Sequence, residues 1–139
     1  MRLTLTKQAE YALRILVHLA GAERNGHAGE APRQKAAEIS SATSVPPAFA
    51  MRVLALLQRR GLLVARAGQH GGYTLAKPAC DVTVLEVIEA VEGPLSNRRC
   101  VLRDSACGEG GRCLLHDAWT ASGQALRNVL SSTTLATCE

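Results

Sequence analysis

The most reactive side chains of this sequence are three cysteines and a histidine in its C-terminal half. Cys100, Cys107, Cys113 and His116 follow the spacing C-x6-C-x5-C-x2-H. Thiolates bind soft and borderline metals, and separations of five and six residues let three sulfurs approach one centre without helix or strand constraints. Glycine makes such a loop easy to fold, and it occurs three times here: Gly108, Gly110 and Gly111. The spacing therefore predicts a metal-binding or iron–sulfur site.

Basic side chains surround the same segment. They are Arg98, Arg99, Arg103 and Arg112. Positive charge favours the thiolate form and offsets the negative charge of a thiolate cluster.

Two other uses of these cysteines stay open. Structural zinc sites usually contain two paired C-x2-4-C units, which these spacings match poorly, although Cys113 and His116 could supply one half. A metal-free thiol or disulfide switch is the second alternative. Cys80 and Cys138 stand apart from the group, and we expect them to be small buried or frayed-end thiols.

The N-terminus argues for a cytoplasmic protein. Charged or polar side chains at Lys7, Glu10, Arg14 and His18 interrupt its apolar stretch, so neither a signal peptide nor a membrane span fits. Five cysteines without an export signal favour reduced thiols over a disulfide framework.

The two halves of the chain carry opposite charge. Residues 1–78 contain 11 Lys and Arg against 4 Asp and Glu, a balance of +7, whereas residues 79–139 contain 5 against 8, a balance of −3. A basic N-terminal half is typical of a domain that binds a polyanion such as DNA.

Periodicity and turn residues predict the elements of that half. Apolar residues at helical spacing indicate a helix from about Thr6 to Ala22, and a shorter helix from about Arg33 to Ser40 precedes the turn Ser41–Ser44. A third helix begins at Val45-Pro46-Pro47 and closes at Gly61. Two β-prone runs around the Gly-rich segment 67–72 then predict a hairpin, which would be a wing.

The third helix has one apolar stripe and one stripe without acids. Ala50, Val53, Leu54 and Leu57 should face the core. The other stripe would enter the major groove, with Arg52 as the candidate for a bidentate contact to guanine. We expect eight residues of the helix, its leading edge and the wing to contact DNA: Ser44, Pro47, Ala48, Arg52, Arg59, Arg66, His70 and Gly71.

The C-terminal half is predicted to pair subunits. Residues 83–92 read as a short linking helix, 95–113 as the cysteine-rich loop, and about 114–132 as a long helix. The expected fold is mainly α: a winged helix-turn-helix domain at 1–78, with a two-stranded wing, followed at 79–139 by the linking helix, cluster-binding loop and dimerisation helix.

Enzymatic activity is not expected. The sequence has no Ser-His-Asp order, phosphate loop or paired-carboxylate signal. A small iron–sulfur electron carrier would use the same cysteines, but it would leave the basic half and the wing without a purpose.

Four motifs, in their order, resemble the IscR/NsrR (Rrf-two) family of bacterial repressors. They are Met1-Arg2-Leu3-Thr4, Tyr11-Ala12-Leu13-Arg14, Arg59-Arg60-Gly61-Leu62 with the Gly71-Gly72-Tyr73 wing, and the three-cysteine loop. The resemblance implies a homodimer that binds a two-fold symmetric DNA operator and senses iron–sulfur status, nitric oxide or redox state. A cluster-free regulator controlled by thiol oxidation, zinc or a protein partner remains the alternative.

The resemblance also implies a ligand set. Cys100, Cys107 and Cys113 fall on cluster-ligand positions, and we expect a [2Fe–2S] rather than a [4Fe–4S] cluster. IscR-like branches use a histidine just after the third cysteine, where this chain has His116. NsrR-like branches use an acidic residue from the first helix of the partner subunit, where this chain has Glu10. Both candidates for the fourth ligand stay open.

Overall fold

The computed structural model describes residues 2–23, 31–95 and 99–136. It contains five α-helices and one two-stranded sheet within those ranges. In chain order they are α1 (Lys7–Glu23), α2 (Ala36–Thr43), α3 (Pro47–Arg59), β1 (Leu63–Arg66), β2 (Gly72–Leu75), α4 (Val84–Glu92) and α5 (His116–Ser132). The fold is therefore mainly α with a two-stranded wing, as the sequence predicts.

The hydrophobic core lies among the first four helices. Ile15 and Leu16 of α1 pack with Ile39 of α2 and with the apolar stripe of α3, and all of these side chains are fully buried. The stripe consists of the four predicted residues, Ala50, Val53, Leu54 and Leu57. With so few aromatic side chains, branched aliphatic residues supply most of this packing.

The turn between α2 and α3 differs from the sequence prediction. Residues 41–43, predicted as turn, extend α2, and Ser44 follows in the left-handed conformation at φ 56°. Hydroxyl groups explain the difference, because Thr43 donates to the Ile39 carbonyl and Ser40 donates to the Val45 carbonyl, both at 2.6 Å. The polar side chains therefore bond to the backbone of the helix and its end instead of opening a turn after Ser40.

The wing is an antiparallel hairpin attached to the body of the domain. Leu63 pairs with Leu75 and Arg66 pairs with Gly72. Gln34, just before α2, forms an isolated bridge to Tyr73, with backbone hydrogen bonds of 2.7 and 3.2 Å. This bridge fixes the wing relative to α2.

Helix α4 is part of the same core. Val87 and Ala90 of α4, and Val82 just before the helix, belong to the same buried cluster as α1 to α3. The chain also returns to this region after α5, because Leu135 donates a backbone hydrogen bond to Val82 at 3.0 Å. The division at residue 78 stays a prediction, with the linking helix packed on the first unit.

Helix α5 has no buried residue in the single chain. Its apolar side chains Trp119, Leu126 and Val129 are 39%, 40% and 61% exposed. Among the described residues, no single helix is long and apolar enough to cross a membrane, and α2 with α3 meets those criteria only as a pair bent by 114°.

Candidate nucleic-acid interface and cysteine site

The predicted DNA-facing side of α3 is exposed. Ala48, Met51, Arg52 and Arg59 are open to solvent, and the helix contains no acidic residue. Pro47 occupies the start of the helix, where its missing N–H leaves no hydrogen bond unmade. Small side chains beside arginines allow the helix axis to approach a groove closely.

Ser44 lies at the point where the chain turns into α3. It is exposed, and it is the only residue other than glycine with a positive φ within the described ranges. The structure thus gives Ser44 a backbone role at the end of α2, and its contact with DNA stays a prediction.

An aromatic pair beside Arg52 was not among the sequence candidates. Tyr11 of α1 and Phe49 of α3 meet edge to face, with ring centroids 5.0 Å apart. The guanidinium carbon of Arg52 lies 5.4 Å from the Phe49 centroid, and that of Arg14 lies 5.5 Å from the Tyr11 centroid. The sequence contains only four aromatic residues, and this scarcity was the one signal that could have drawn attention to Tyr11 and Phe49.

The wing presents two of its three predicted contact residues. Arg66 and His70 are exposed, whereas Gly71 is buried. Gly71 donates to the Gly68 carbonyl at 3.1 Å, and a Cβ built on it would lie 2.2 Å from the Arg66 carbonyl oxygen. The hairpin therefore requires glycine here, and direct contact of Gly71 with DNA stays a prediction.

The cysteine loop arranges its four candidate ligands in two pairs. The sulfurs of Cys100 and Cys113 are 4.0 Å apart, and the Cys107 sulfur lies 3.2 Å from Nδ1 of His116. Cys100 is buried, and the other three are half-buried. His116 is the first residue of α5, so the site adjoins the N-terminus of that helix.

Backbone contacts shape this loop. Cys100 donates its N–H to the Ser105 carbonyl at 3.0 Å, and His116 donates to the Cys113 carbonyl at 3.1 Å. The Arg103 guanidinium donates to the carbonyls of Gly110 and Gly111 at 3.0 and 3.3 Å. Both glycines have positive φ, which explains why the sequence places glycine there.

The loop also favours the anionic form of one thiol. The backbone N–H of Leu102 is the main cause that lowers the pKa of Cys100, and the N–H of Arg103 acts in the same direction. The Cys113 thiol and the Arg103 charge lower this pKa further, while partial burial opposes them. A metal ligand must be deprotonated, so this environment suits Cys100 for coordination.

The two candidates for the fourth ligand have different surroundings. His116 contacts Cys107 within the same chain. Glu10 instead forms ion pairs with Lys7 at 3.3 Å and with Arg14. The hydrogen bond from Lys7 is the main cause that lowers the pKa of Glu10, with Arg14 contributing and desolvation opposing. Glu10 is therefore ionised, and it is already engaged by two cations of its own helix.

Cys80 lies outside the cysteine loop, between β2 and α4. Cys80 is disulfide-bonded, so the expectation of a small buried thiol is wrong for it. Its sulfur is already oxidised, so the expectation of reduced thiols is also wrong for this residue. Cys138 and Arg98 lie outside the described residues.

The donor arrangement differs from a single-ion site. Among the described residues, no three Cys, His, Asp or Glu side chains converge on one point that could hold a metal ion. A tetrahedral zinc site needs all of its ligands around one ion, whereas a [2Fe–2S] cluster takes two protein ligands on each of two irons. The two pairs match the two-by-two ligand count of such a cluster, and the assignment of Cys100, Cys107 and Cys113 as its ligands stays a prediction.

Helix, turn, recognition-type helix and hairpin, followed by a cysteine loop and an exposed helix, define a winged-helix DNA-binding regulator. The family model of the Rrf2 proteins, described as iron-dependent transcriptional regulators, matches residues 5–138. The chain belongs to this family. The resemblance seen in the sequence is therefore confirmed.

Relatives support the same class. An HTH-type transcriptional regulator of Mycobacterium tuberculosis is 31% identical over 95% of this chain and 78% of its own length. The HTH-type transcriptional regulator IscR of Photorhabdus laumondii is 31% identical over 94% of this chain and 76% of its own length. These relatives are regulators of transcription, and the chain is a DNA-binding transcriptional regulator.

Solved structures confirm the fold. CymR, the global cysteine regulator of B. subtilis, superposes with a TM-score of 0.75 at 25% identity and covers 96% of this chain and 94% of its own. The IscR structure of T. potens gives 0.74 at 21% identity, with coverage of 96% and 83%.

Proposed function

We propose that this protein is a dimeric transcriptional repressor whose operator affinity is controlled by an iron–sulfur cluster that senses nitric oxide, redox state or iron–sulfur status. The observation that carries the proposal is the contact within each of two donor pairs, Cys100 with Cys113 and Cys107 with His116. A cytoplasmic location follows from this proposal, because the DNA is there.

A [2Fe–2S] cluster fits the donors best. Each pair would hold one iron, with three thiolates and one imidazole in total. The short Cys107–His116 contact favours His116 as the fourth ligand, while the ion pairs of Glu10 disfavour that side chain. A bound cluster would supply iron that reacts with nitric oxide and accepts or releases one electron.

The second subunit would pack on α5. The exposed apolar side chains of this helix lie beside a groove of about 410 Å³, whose lining includes Leu3, Leu5, Ile88, Leu126 and Leu130. Pairing two copies through this face would give a two-fold axis, and the protein would then bind a two-fold symmetric double-stranded operator.

Cluster loss would change the distance between the recognition helices. The loop joins α4, which packs in the core of the DNA-binding unit, to α5, which would carry the subunit interface. Half-sites on DNA are separated by about 34 to 36 Å, so a shift of a few ångströms between subunits breaks the register. Cluster binding and DNA binding would therefore be coupled.

The experiment compares holo and apo protein. Protein purified without oxygen is analysed for iron, sulfide and visible absorption, and operator affinity of both forms is measured at one salt concentration. We expect bound iron and sulfide in equal amounts and a clear difference in affinity. Colourless protein without iron, or equal affinities, would refute cluster control.

Three variants test the ligand assignment. Cys107→Ala and His116→Ala should lose or destabilise the cluster, whereas Glu10→Ala should retain it. Retention of the cluster in all three would overturn this ligand set. Loss in Glu10→Ala alone would transfer the fourth position to the acidic residue of the partner subunit.

A cluster-free thiol regulator is the second candidate. The free sulfurs of Cys100 and Cys113 are close enough that a small movement would permit a disulfide. With a peroxide as oxidant, two thiols and one peroxide would give the disulfide and two oxygen-containing products, water in the case of hydrogen peroxide. Mass spectrometry after peroxide treatment, with DNA affinity measured in parallel, distinguishes this candidate by a two-hydrogen mass loss in iron-free protein.

A further inference from the structure

The candidate DNA surface continues from α3 onto α1 through an aromatic pair. Tyr11 and Phe49 are half-buried and meet edge to face at 5.0 Å. Phe49 also packs against the hydrophobic core, which holds the aromatic pair in place. Its contact joins the first helix to the helix that carries the predicted base-reading residue.

Three cations lie on these two rings. Lys7 Nζ is 5.8 Å from the Tyr11 centroid, and the guanidinium groups of Arg14 and Arg52 are 5.5 and 5.4 Å from Tyr11 and Phe49. A cation over an aromatic face is attracted by the ring quadrupole. The rings therefore restrict long side chains that would otherwise occupy many rotamers in solvent.

The acid within this group restricts two of the cations further. Glu10 pairs with both Lys7 and Arg14, one turn away on either side. The side chains of Lys7 and Arg14 still expose 69% and 43% of their surface. With one acid and three bases, the group carries a net charge of +2 and remains open to a polyanion.

We propose that Tyr11 and Phe49 form an aromatic support that holds Arg52 for base contact and presents Lys7 and Arg14 to the phosphate backbone, so that the DNA interface includes α1. Tyr11 and Phe49 are positioning residues, which act through the cations they carry. Ordering these side chains before binding reduces the entropy lost when DNA is bound. The inference rests on the proposal that α3 faces the DNA.

A double-mutant cycle tests the role of Phe49. The probe is a duplex of about three helical turns, enriched by the wild-type protein from a random-sequence pool, with a shuffled duplex of the same composition beside it. Phe49→Leu should weaken binding to the enriched duplex by roughly threefold to tenfold, the range of cation–π contacts at partly exposed sites. Binding to the shuffled duplex should change much less.

Coupling identifies the residue through which Phe49 acts. In the Arg52→Gln background, Phe49→Leu should have little further effect, whereas in the Arg59→Gln background it should have its full effect. Arg59 is the matched control because it lies two turns further along the same helix. Phe49→Tyr keeps the ring and should restore affinity close to that of the wild type.

Salt dependence tests the contribution of α1. Lys7→Gln and Arg14→Gln should each lower the slope of log affinity against log salt by about one, as expected for one lost phosphate contact. Phe49→Leu should leave that slope unchanged. Thermal melting of every variant confirms that the fold persists.

The outcomes separate this inference from the proposed function. Wild-type protein without salt-dependent DNA binding would overturn both. Wild-type binding with an additive Phe49–Arg52 cycle, or with unchanged slopes for both α1 variants, would overturn the aromatic support alone. Equal losses for Phe49→Tyr and Phe49→Leu would also overturn it, since the ring would then have no role.

Discussion

Two backbone oxygens restrict two positions of the wing to glycine. A Cβ at Gly71 would lie 2.2 Å from the Arg66 carbonyl oxygen, and one at Gly72 would lie 2.5 Å from that of Gln34. Gly72 also has a φ of 136°, which side-chain-bearing residues rarely adopt. Both clashing atoms belong to the backbone, so no side-chain rotation can relieve the clash. The two glycines therefore keep the hairpin closed, independently of any DNA contact.

Substitution at Gly71 should destabilise the fold. For Gly71→Ala we expect a loss of more than about 1 kcal/mol in the free energy of unfolding, because the wing must shift to relieve the overlap. Denaturation in urea measures it. Gly21→Ala is the control, since its new Cβ meets nothing within 4 Å in α1, and alanine in a helix is favoured over glycine by up to about 1 kcal/mol. Equal effects of the two substitutions would contradict this explanation.

At the scale of elements, α4 begins with a reciprocal capping box. The Thr83 hydroxyl accepts from the Glu86 N–H at 3.1 Å, and the Glu86 carboxylate accepts from the Thr83 N–H at 2.9 Å. Lys77 adds an ion pair to Glu86 at 2.6 Å. Burial raises the pKa of Glu86, but the hydrogen bonds from Lys77 and Thr83 outweigh it, so the pKa lies below its usual value.

This cap should make stability depend on pH. A carboxyl group with a lowered pKa in the folded state contributes stability above its unfolded pKa, about 4.3, and loses it as the pH falls through the folded value. Glu86→Gln should therefore cost about 0.5 kcal/mol at pH 7, since the side chain is 41% exposed. In urea denaturation at pH 3 the difference should vanish.

Glu38→Gln is the matched control for this prediction. It also removes one acid, an exposed one, from the first turn of a helix, α2. An equal pH-dependent loss in Glu38→Gln would show that general charge, and not the capping box, is responsible.

Sequence patterns predicted most helices and strands, because the residues that determine each of them are close together in the chain. The apolar stripe and initial prolines of α3 and the glycines of the wing each act within a few residues, so their positions could be read directly. The end of α2 was missed, since Thr43 bonds to the backbone of its own helix and Ser40 bonds to the Val45 carbonyl just beyond it, a choice that composition alone leaves open.

The features that the sequence did not predict depend on contacts between residues far apart in the chain. Tyr11 and Phe49 belong to different helices, and nothing in their local sequence predicts that their rings meet. The candidate ligand residues were identified by spacing, but their arrangement in two pairs depends on the path of the loop around Arg103. Spacing supplies the donors, and tertiary structure decides how they group.

At the scale of the whole molecule, the single chain leaves an apolar surface unpaired. Trp119, Leu126 and Val129 project from α5 with substantial exposure, and the neighbouring groove extends to Leu3 and Leu5 near the N-terminus. A contiguous apolar patch of this kind usually marks an interface. Because the proposed partner is a second copy of the chain, each apolar residue near the two-fold axis would be buried in both subunits.

Val129→Glu should therefore separate the subunits. Burying one valine side chain is worth about 1.5 kcal/mol or more, and a two-fold interface loses this amount in both copies. The monomer–dimer dissociation constant should rise by at least about a hundredfold, which sedimentation velocity over a concentration series measures.

The control for this variant lies away from the apolar side of α5. Ala121→Glu adds the same charge at an exposed position about 80° or more from the apolar side chains around the helix axis, as a rotation of 100° per residue requires, and it should leave the dimer intact. If Val129→Glu remained dimeric while both variants kept their helical content, the subunit interface would have to lie elsewhere. Dissociation should also weaken binding to a two-half-site duplex far more than binding to a single half-site, because only the dimer can use both recognition helices on one DNA molecule.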